Sequence, residues 1–174
     1  MITILTGPVG GGKTTFLRAA VDRLRLRGIR PEGYLSERVM AGKAVAGYDL
    51  ADLRSGRRIS FLRRSGPPEG MRAGSYMICP DGLAAAEKII GRSRPDEPLI
   101  IDELGRLELE GTGVWPASEP VFADGRRICL VVIRKALLED FRTRWPAGMK
   151  ISVVRLPASR DPEILVREML KGRA

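Results

Sequence analysis

Apolar and polar positions along this chain switch repeatedly between two periods. Met1-Ile2-Thr3-Ile4-Leu5-Thr6 is a short apolar run that stops at glycine, as a buried strand does. Past a glycine-rich stretch, Phe16, Leu17, Ala20, Val21 and Leu24 recur at helical spacing. They predict an amphipathic helix over 13–27, ended by Gly28. A short strand is expected near 33–37, then strands over 44–50 and 57–63 joined at Ser55-Gly56 as a hairpin. Residues 65–72, rich in Pro and Gly, read as a loop, and 75–79 as another short strand. Asp81 caps a helix that runs to Gly91. Pro98 to Glu103 is an apolar strand ending in acid. Residues 106–125 read as irregular with one helix, and 127–134 as the most apolar strand. A helix over 136–145, stopped by Pro146, a strand over 149–156 and a helix opening at Asp161-Pro162-Glu163 complete the chain.

Strands that alternate with helices predict an α/β fold: one domain over 1–174, a three-layer sandwich with a mostly parallel central sheet and an inserted β-hairpin. Hydrophobic residues make up 44 % and charged residues 29 %, ordinary for a folded domain of this length. The start lacks the basic segment and cleavage site of a signal peptide, and no apolar run is long enough to span a bilayer, so a cytoplasmic protein without membrane contact is expected. There is no histidine, and Cys79 and Cys129 are the two cysteines. Metal sites built from Cys and His, and mechanisms that need a catalytic His, are set aside. Cys129, inside Ile128-Cys129-Leu130-Val131-Val132-Ile133, reads as a buried structural thiol. The net charge of +9 raises nucleic acid as a partner. The basic residues are scattered in short pairs, however, and aromatics amount to 5 %. A basic face that attracts polyanionic nucleotides accounts for the charge, and nucleic acid is not expected as a partner.

Gly7-Pro8-Val9-Gly10-Gly11-Gly12-Lys13-Thr14 fits G-x-x-x-x-G-K-[ST] between an apolar strand and an amphipathic helix. Glycines let the backbone curl so that its N–H groups converge on phosphate oxygens. The helix start adds the positive end of its dipole. Lys13 suits the β- and γ-phosphates, the Thr14 hydroxyl Mg²⁺, and the Thr15 hydroxyl the α-phosphate. The second constellation is Leu99-Ile100-Ile101-Asp102-Glu103. Asp102 falls where the apolar run ends, at the strand edge where open α/β sheets bind ligands, and is the candidate for holding the magnesium shell. Glu103 is the candidate that orients and deprotonates an attacking water.

Together these residues resemble the THEP-type nucleoside-triphosphatase family, which includes the cancer-related NTPases. Gly7 to Thr15 and the run Asp102-Glu103-Leu104-Gly105-Arg106-Leu107-Glu108-Leu109 carry the resemblance. Gly33 to Arg38, Gly47-Tyr48-Asp49-Leu50 and Gly74 to Ile78 follow the family's pattern in the same order. The resemblance implies a RecA-like P-loop NTPase fold and Mg²⁺-dependent hydrolysis of ATP, GTP or other nucleoside triphosphates to the diphosphate, with broad base tolerance. By position it places Lys13, Glu103 and Arg106 in catalysis, Gly7 to Thr15 on the nucleotide, and Thr14 and Asp102 on the metal. Arg106 either neutralises charge on the transferring phosphoryl group or is a surface arginine. Glu108 either orients Arg106 or the magnesium shell, or is a solvated acid. Two departures stand out: Ser159-Arg160-Asp161 lacks the family's Asn, with Arg160 left as a candidate lid residue, and Lys43-Ala44-Val45-Ala46 lacks its basic residue before G-F-D.

Two other readings share the same motifs. In a nucleoside or small-molecule kinase, Glu103 would deprotonate an acceptor hydroxyl. In a nucleotide-dependent switch, hydrolysis would be negligible. No arginine finger is evident, which predicts slow turnover unless a partner supplies one. Tyr34, Tyr48, Tyr76 and Trp115 are equal candidates for stacking on the base. Glu37 and Arg38 are expected to pair with each other on a strand edge or to serve an open role, and a monomer is expected.

Overall fold

The computed structural model describes residues 1–65, 71–145, 148–157 and 161–171. Its frame is a nine-stranded sheet between two helical layers. In chain order the strands are β1 (Ile2–Gly7), β2 (Glu32–Ala41), β3 (Ala44–Asp52), β4 (Arg58–Arg63), β5 (Arg72–Ala73), β6 (Tyr76–Ile78), β7 (Leu99–Leu104), β8 (Cys129–Arg134) and β9 (Ile151–Arg155). The helices are α1 (Lys13–Leu26), α2 (Pro80–Gly91), α3 (Arg106–Leu109), α4 (Trp115–Ala123) and α5 (Glu163–Leu170). Across the sheet the order is β5-β6-β4-β3-β2-β7-β8-β1-β9. From β2 to β9 all neighbours run parallel; from β2 outward to β5 they run antiparallel. A parallel core thus carries an antiparallel extension, and β8 stands between the strand that enters the phosphate loop and the strand that ends in acid.

The core strands are apolar throughout because both faces are covered. Along β8, Cys129, Val131 and Ile133 pack toward α2 and α4, while Leu130 and Val132 pack toward α1 and α5. Burial pushes the Cys129 thiol up to about 12, so it stays protonated and inert. α1 buries the five residues its periodicity predicts, and Gly28 follows it with φ 73°. Ion pairs Arg23–Asp161 and Arg27–Glu163, each 2.6 Å, hold the start of α5 against α1. On the opposite face Trp115, Phe122, Phe141 and Trp145 form an aromatic cluster. Trp115 belongs to this cluster, is 3 % exposed and does not line the cleft described below, which removes it from the candidates for stacking on a base.

Several expectations are corrected. The strand near 33–37 extends over Glu32–Ala41 because it pairs on both sides, with β3 and β7. Asp81 lies in the first turn of α2 rather than at its cap: Cys79 caps, and Pro80 occupies the position where a missing N–H costs nothing. Residues 106–125 hold two helices, α3 and α4, not one. The helix over 136–145 is replaced by two 3₁₀ turns, Lys135–Leu137 and Asp140–Arg144. Phe141 is buried from the second turn and Leu138 from the residues between the two. Pro146 lies outside the described residues. Among the described residues, no helix is long and apolar enough to cross a membrane.

Candidate active site

The loop between β1 and α1 takes the curled form that its glycines permit. Gly10 and Gly12 have φ of 73° and 76°, a region that a Cβ disfavours. Gly12 thereby caps α1, whose first residue is Lys13. The Lys13 ammonium folds across the loop and donates to the carbonyls of Pro8 (2.8 Å) and Gly7 (3.3 Å). Partial burial lowers its pKa, as does the positive charge of Arg134; Glu103 and Asp102 act in the opposite sense. The loop's outer residues, Pro8 to Gly12, face solvent, as does Thr15.

The acidic edge is built by a bulge in β7. Ile101 pairs with Val131 and Leu104 with Ile133, so Asp102 and Glu103 stand together against Val132. Glu103 takes φ 93°, the one positive φ outside glycine among the described residues. A non-glycine residue held there costs about 1–3 kcal/mol, a strain that persists where the surroundings impose it. The kink separates the roles of the two acids. Asp102 turns inward, is 4 % exposed, and accepts from the Ser36 amide at 2.9 Å. The Thr14 hydroxyl lies near enough to favour its charged form. Burial raises its pKa to about 6 against these influences. Glu103 turns outward, with 35 % of its side chain exposed, and pairs with the guanidinium of Arg134 at the end of β8.

Thr14 and Asp102, expected on the metal, therefore lie side by side, and the charges of Lys13 and Glu103 are felt across the same edge. Their oxygen donors suit a hard divalent cation such as Mg²⁺, which takes one or two protein ligands and completes its shell with water and phosphate. No cluster of three or more His, Cys, Asp or Glu that could hold a metal ion occurs among the described residues.

Other expectations change. Glu108 is buried, and its two carboxylate oxygens accept from the amides of Gly105 (2.7 Å) and Val114 (3.1 Å). It fixes the turn that carries Arg106 rather than orienting Arg106 itself, and it is not a solvated acid. Arg106 is exposed at the start of α3 and faces the cleft. Glu37 does not pair with Arg38, because successive strand residues point to opposite faces. It pairs with Arg18 of α1 and, at 2.7 Å, with Arg58 of β4. Arg160 lies outside the described residues.

A cleft of about 920 Å³ runs from Gly7, Pro8 and Val9 past Asp102, Glu103 and Arg106 to the antiparallel strands. Its far wall includes Tyr34, Tyr48 and Tyr76, the last two packed edge-to-face at 5.4 Å. Arg134 is the site residue that the sequence reading passed over. Its signal was faint: the first charge after an apolar strand, at the sheet edge that also carries the glycine loop and the acids.

The family model described as NTPase matches residues 2–162. The chain belongs to that NTPase family. Similar members include the nucleoside-triphosphatase THEP1 of Ignicoccus hospitalis, 31 % identical over 87 % of this chain and 86 % of that protein. The cancer-related nucleoside-triphosphatase homolog of Bos taurus is 30 % identical over 80 % of this chain and 82 % of its own. THEP1 of Thermofilum pendens is 32 % identical, and the match spans 63 % of its length. Among solved structures, the solution structure of a human cancer-related nucleoside triphosphatase superposes with TM-score 0.72 at 25 % identity, covering 97 % of this chain and 95 % of that one. The crystal structure of THEP1 from Aquifex aeolicus, at 23 % identity and TM-score 0.66, supports the fold.

Proposed function

We propose that this NTPase-family chain hydrolyses nucleoside triphosphates to the diphosphate and phosphate, with Mg²⁺ and with broad tolerance of the base. The observation that carries the reading is the junction of the two motifs: Thr14 lies beside the buried Asp102, and Glu103, on the same bulge, lies within electrostatic reach of Lys13. The names of the relatives favour hydrolysis over transfer to an acceptor or a silent switch. The same reading takes the chain to work as a monomer in the cytoplasm, where triphosphates and magnesium are abundant.

The loop amides and Lys13 bind the triphosphate and fix its terminal phosphoryl group. Thr14 and Asp102 would hold Mg²⁺, which supplies charge neutralisation between the β- and γ-phosphates when bound. Glu103 holds a water and takes its proton as the oxygen attacks phosphorus. Arg106, which lines the cleft, neutralises charge that develops on the transferring phosphoryl group.

Phosphate release from ATP, GTP, CTP and UTP by wild type, Lys13→Ala and Glu103→Gln tests this. All four nucleotides should be hydrolysed by wild type, and both variants should lose activity. Full activity in Lys13→Ala would overturn the reading.

A further inference from the structure

Arg134 ends β8, and its backbone pairs in register with Gly7, the first residue of the phosphate loop. On its other side, β8 pairs with the bulged strand that carries Glu103. The guanidinium therefore stands between loop and acids. Its Nε donates to Oε1 of Glu103, a charge-assisted bond. Its charge is also felt at the Lys13 ammonium, so it lies within electrostatic reach of the position where a γ-phosphate is held. The side chain is 54 % exposed and lines the same cleft.

The Glu103 oxygen that accepts from Arg134 is occupied. A γ-phosphate carries more negative charge than one carboxylate and offers three oxygens to a planar donor fork. When a triphosphate fills the loop, the guanidinium has a stronger partner within reach; a diphosphate offers none at that place. We propose that Arg134 is an arginine finger supplied in cis, which leaves Glu103 for the γ-phosphate when a triphosphate binds. The exchange frees Glu103 and places a positive charge on the transferring group. The water oxygen then bonds to the γ-phosphorus as the bond from that phosphorus to the β–γ bridging oxygen breaks. The bond electrons leave with the diphosphate. The water proton passes to Glu103 and on to solvent or product phosphate. The arginine that the motif inventory lacked is thus in the chain itself. This assignment rests on Glu103 being the base only for the last proton transfer; recognition of the γ-phosphate stands apart from it.

The test measures binding of ADP and of a non-hydrolysable ATP analogue, with single-turnover hydrolysis, for wild type, Arg134→Ala, Arg134→Lys and Glu103→Gln. Arg134→Ala is expected to bind ADP within about twofold of wild type, to lose at least about tenfold in preference for the triphosphate, and to slow hydrolysis by about 10³-fold or more. Arg134→Lys, which keeps the charge and loses the fork, recovers part of the affinity and little of the rate. Added guanidinium speeds Arg134→Ala and not Glu103→Gln. Glu103→Gln, relieved of the competing charge, prefers the triphosphate more strongly than wild type does. That arm needs no change at Arg134 and holds even if truncation harms folding. Three results overturn the proposal: hydrolysis by Arg134→Ala within about threefold of wild type, an equal loss of ADP and triphosphate affinity, or an unchanged preference in Glu103→Gln. If Glu103 is not the base, Glu103→Gln hydrolyses at the wild-type rate while Arg134→Ala still loses its triphosphate preference, so the two ideas fail separately.

Discussion

The two halves of the sheet are built differently. The parallel half, β2-β7-β8-β1-β9, has three inner strands buried on both faces, β7, β8 and β1, and ends its strands on one edge. Every residue assigned to phosphate, metal or water lies on that edge or just beyond it. The antiparallel half, β3-β4-β6-β5, is half-buried and contributes the far wall of the cleft. The chemistry is fixed by strands that cannot shift without opening the core. Whatever the far wall recognises is held by strands that bury fewer of their residues.

The largest expected effect falls on the parallel half. Glu103→Gln should lower kcat by about 10²–10⁴-fold, the usual worth of a positioned base, with ADP affinity kept. Single-turnover kinetics beside nucleotide titration checks it, and an equal loss of both would turn Glu103 into a binding residue. Next is Leu130→Ala in β8, where the side chain is 0 % exposed. A cost of about 2–5 kcal/mol in chemical denaturation is expected.

Asp102 sharpens the comparison through pH. Its pKa in the folded chain is raised from 3.8 to about 6, so the fold prefers it protonated. Its contribution to stability is therefore greatest below pH 4 and is lost as pH rises through about 6. Asp102→Asn should raise Tm at pH 7, with the gain vanishing toward pH 4, while activity collapses. In wild type, protonation competes with the metal, so activity should fall as pH drops below about 6, and added Mg²⁺ should move that limb to lower pH. An acid limb indifferent to magnesium would separate Asp102 from the metal. The smallest effect belongs to the antiparallel half. Tyr76→Ala removes the contact with Tyr48 and the Arg64 guanidinium 5.3 Å above its ring. A loss of about 0.5–1.5 kcal/mol in stability and unchanged ADP affinity are expected.

How much was legible in the sequence follows the same division. The phosphate loop, α1, the acidic strand and the apolar strand of Cys129 to Ile133 are local patterns: a motif or a period fixes each without help from distant residues. The errors lie where long-range packing decides. Residues 136–145 read as one helix, yet Phe141 is buried from a 3₁₀ turn and Leu138 from the link between two. Glu108 reads either as an orienting group or as a solvated acid until the amides of Gly105 and Val114 are seen to converge on it. Glu37 finds its partners nineteen residues before it and twenty-one after it, on α1 and β4. The bulge that parts Asp102 from Glu103, and the pairing of Glu103 with Arg134, depend on the register of β7 against β8, which no motif states.

The central claim is that the phosphate loop and the acid pair serve one ligand. A crystal structure with Mg²⁺ and a non-hydrolysable nucleoside triphosphate tests it most directly. The phosphates should lie under the amides of Gly10 to Thr15, with the cation bound by Thr14 beside Asp102 and a water between Glu103 and the terminal phosphorus. A triphosphate bound elsewhere in the cleft, or a cation distant from Thr14 and Asp102, would contradict it.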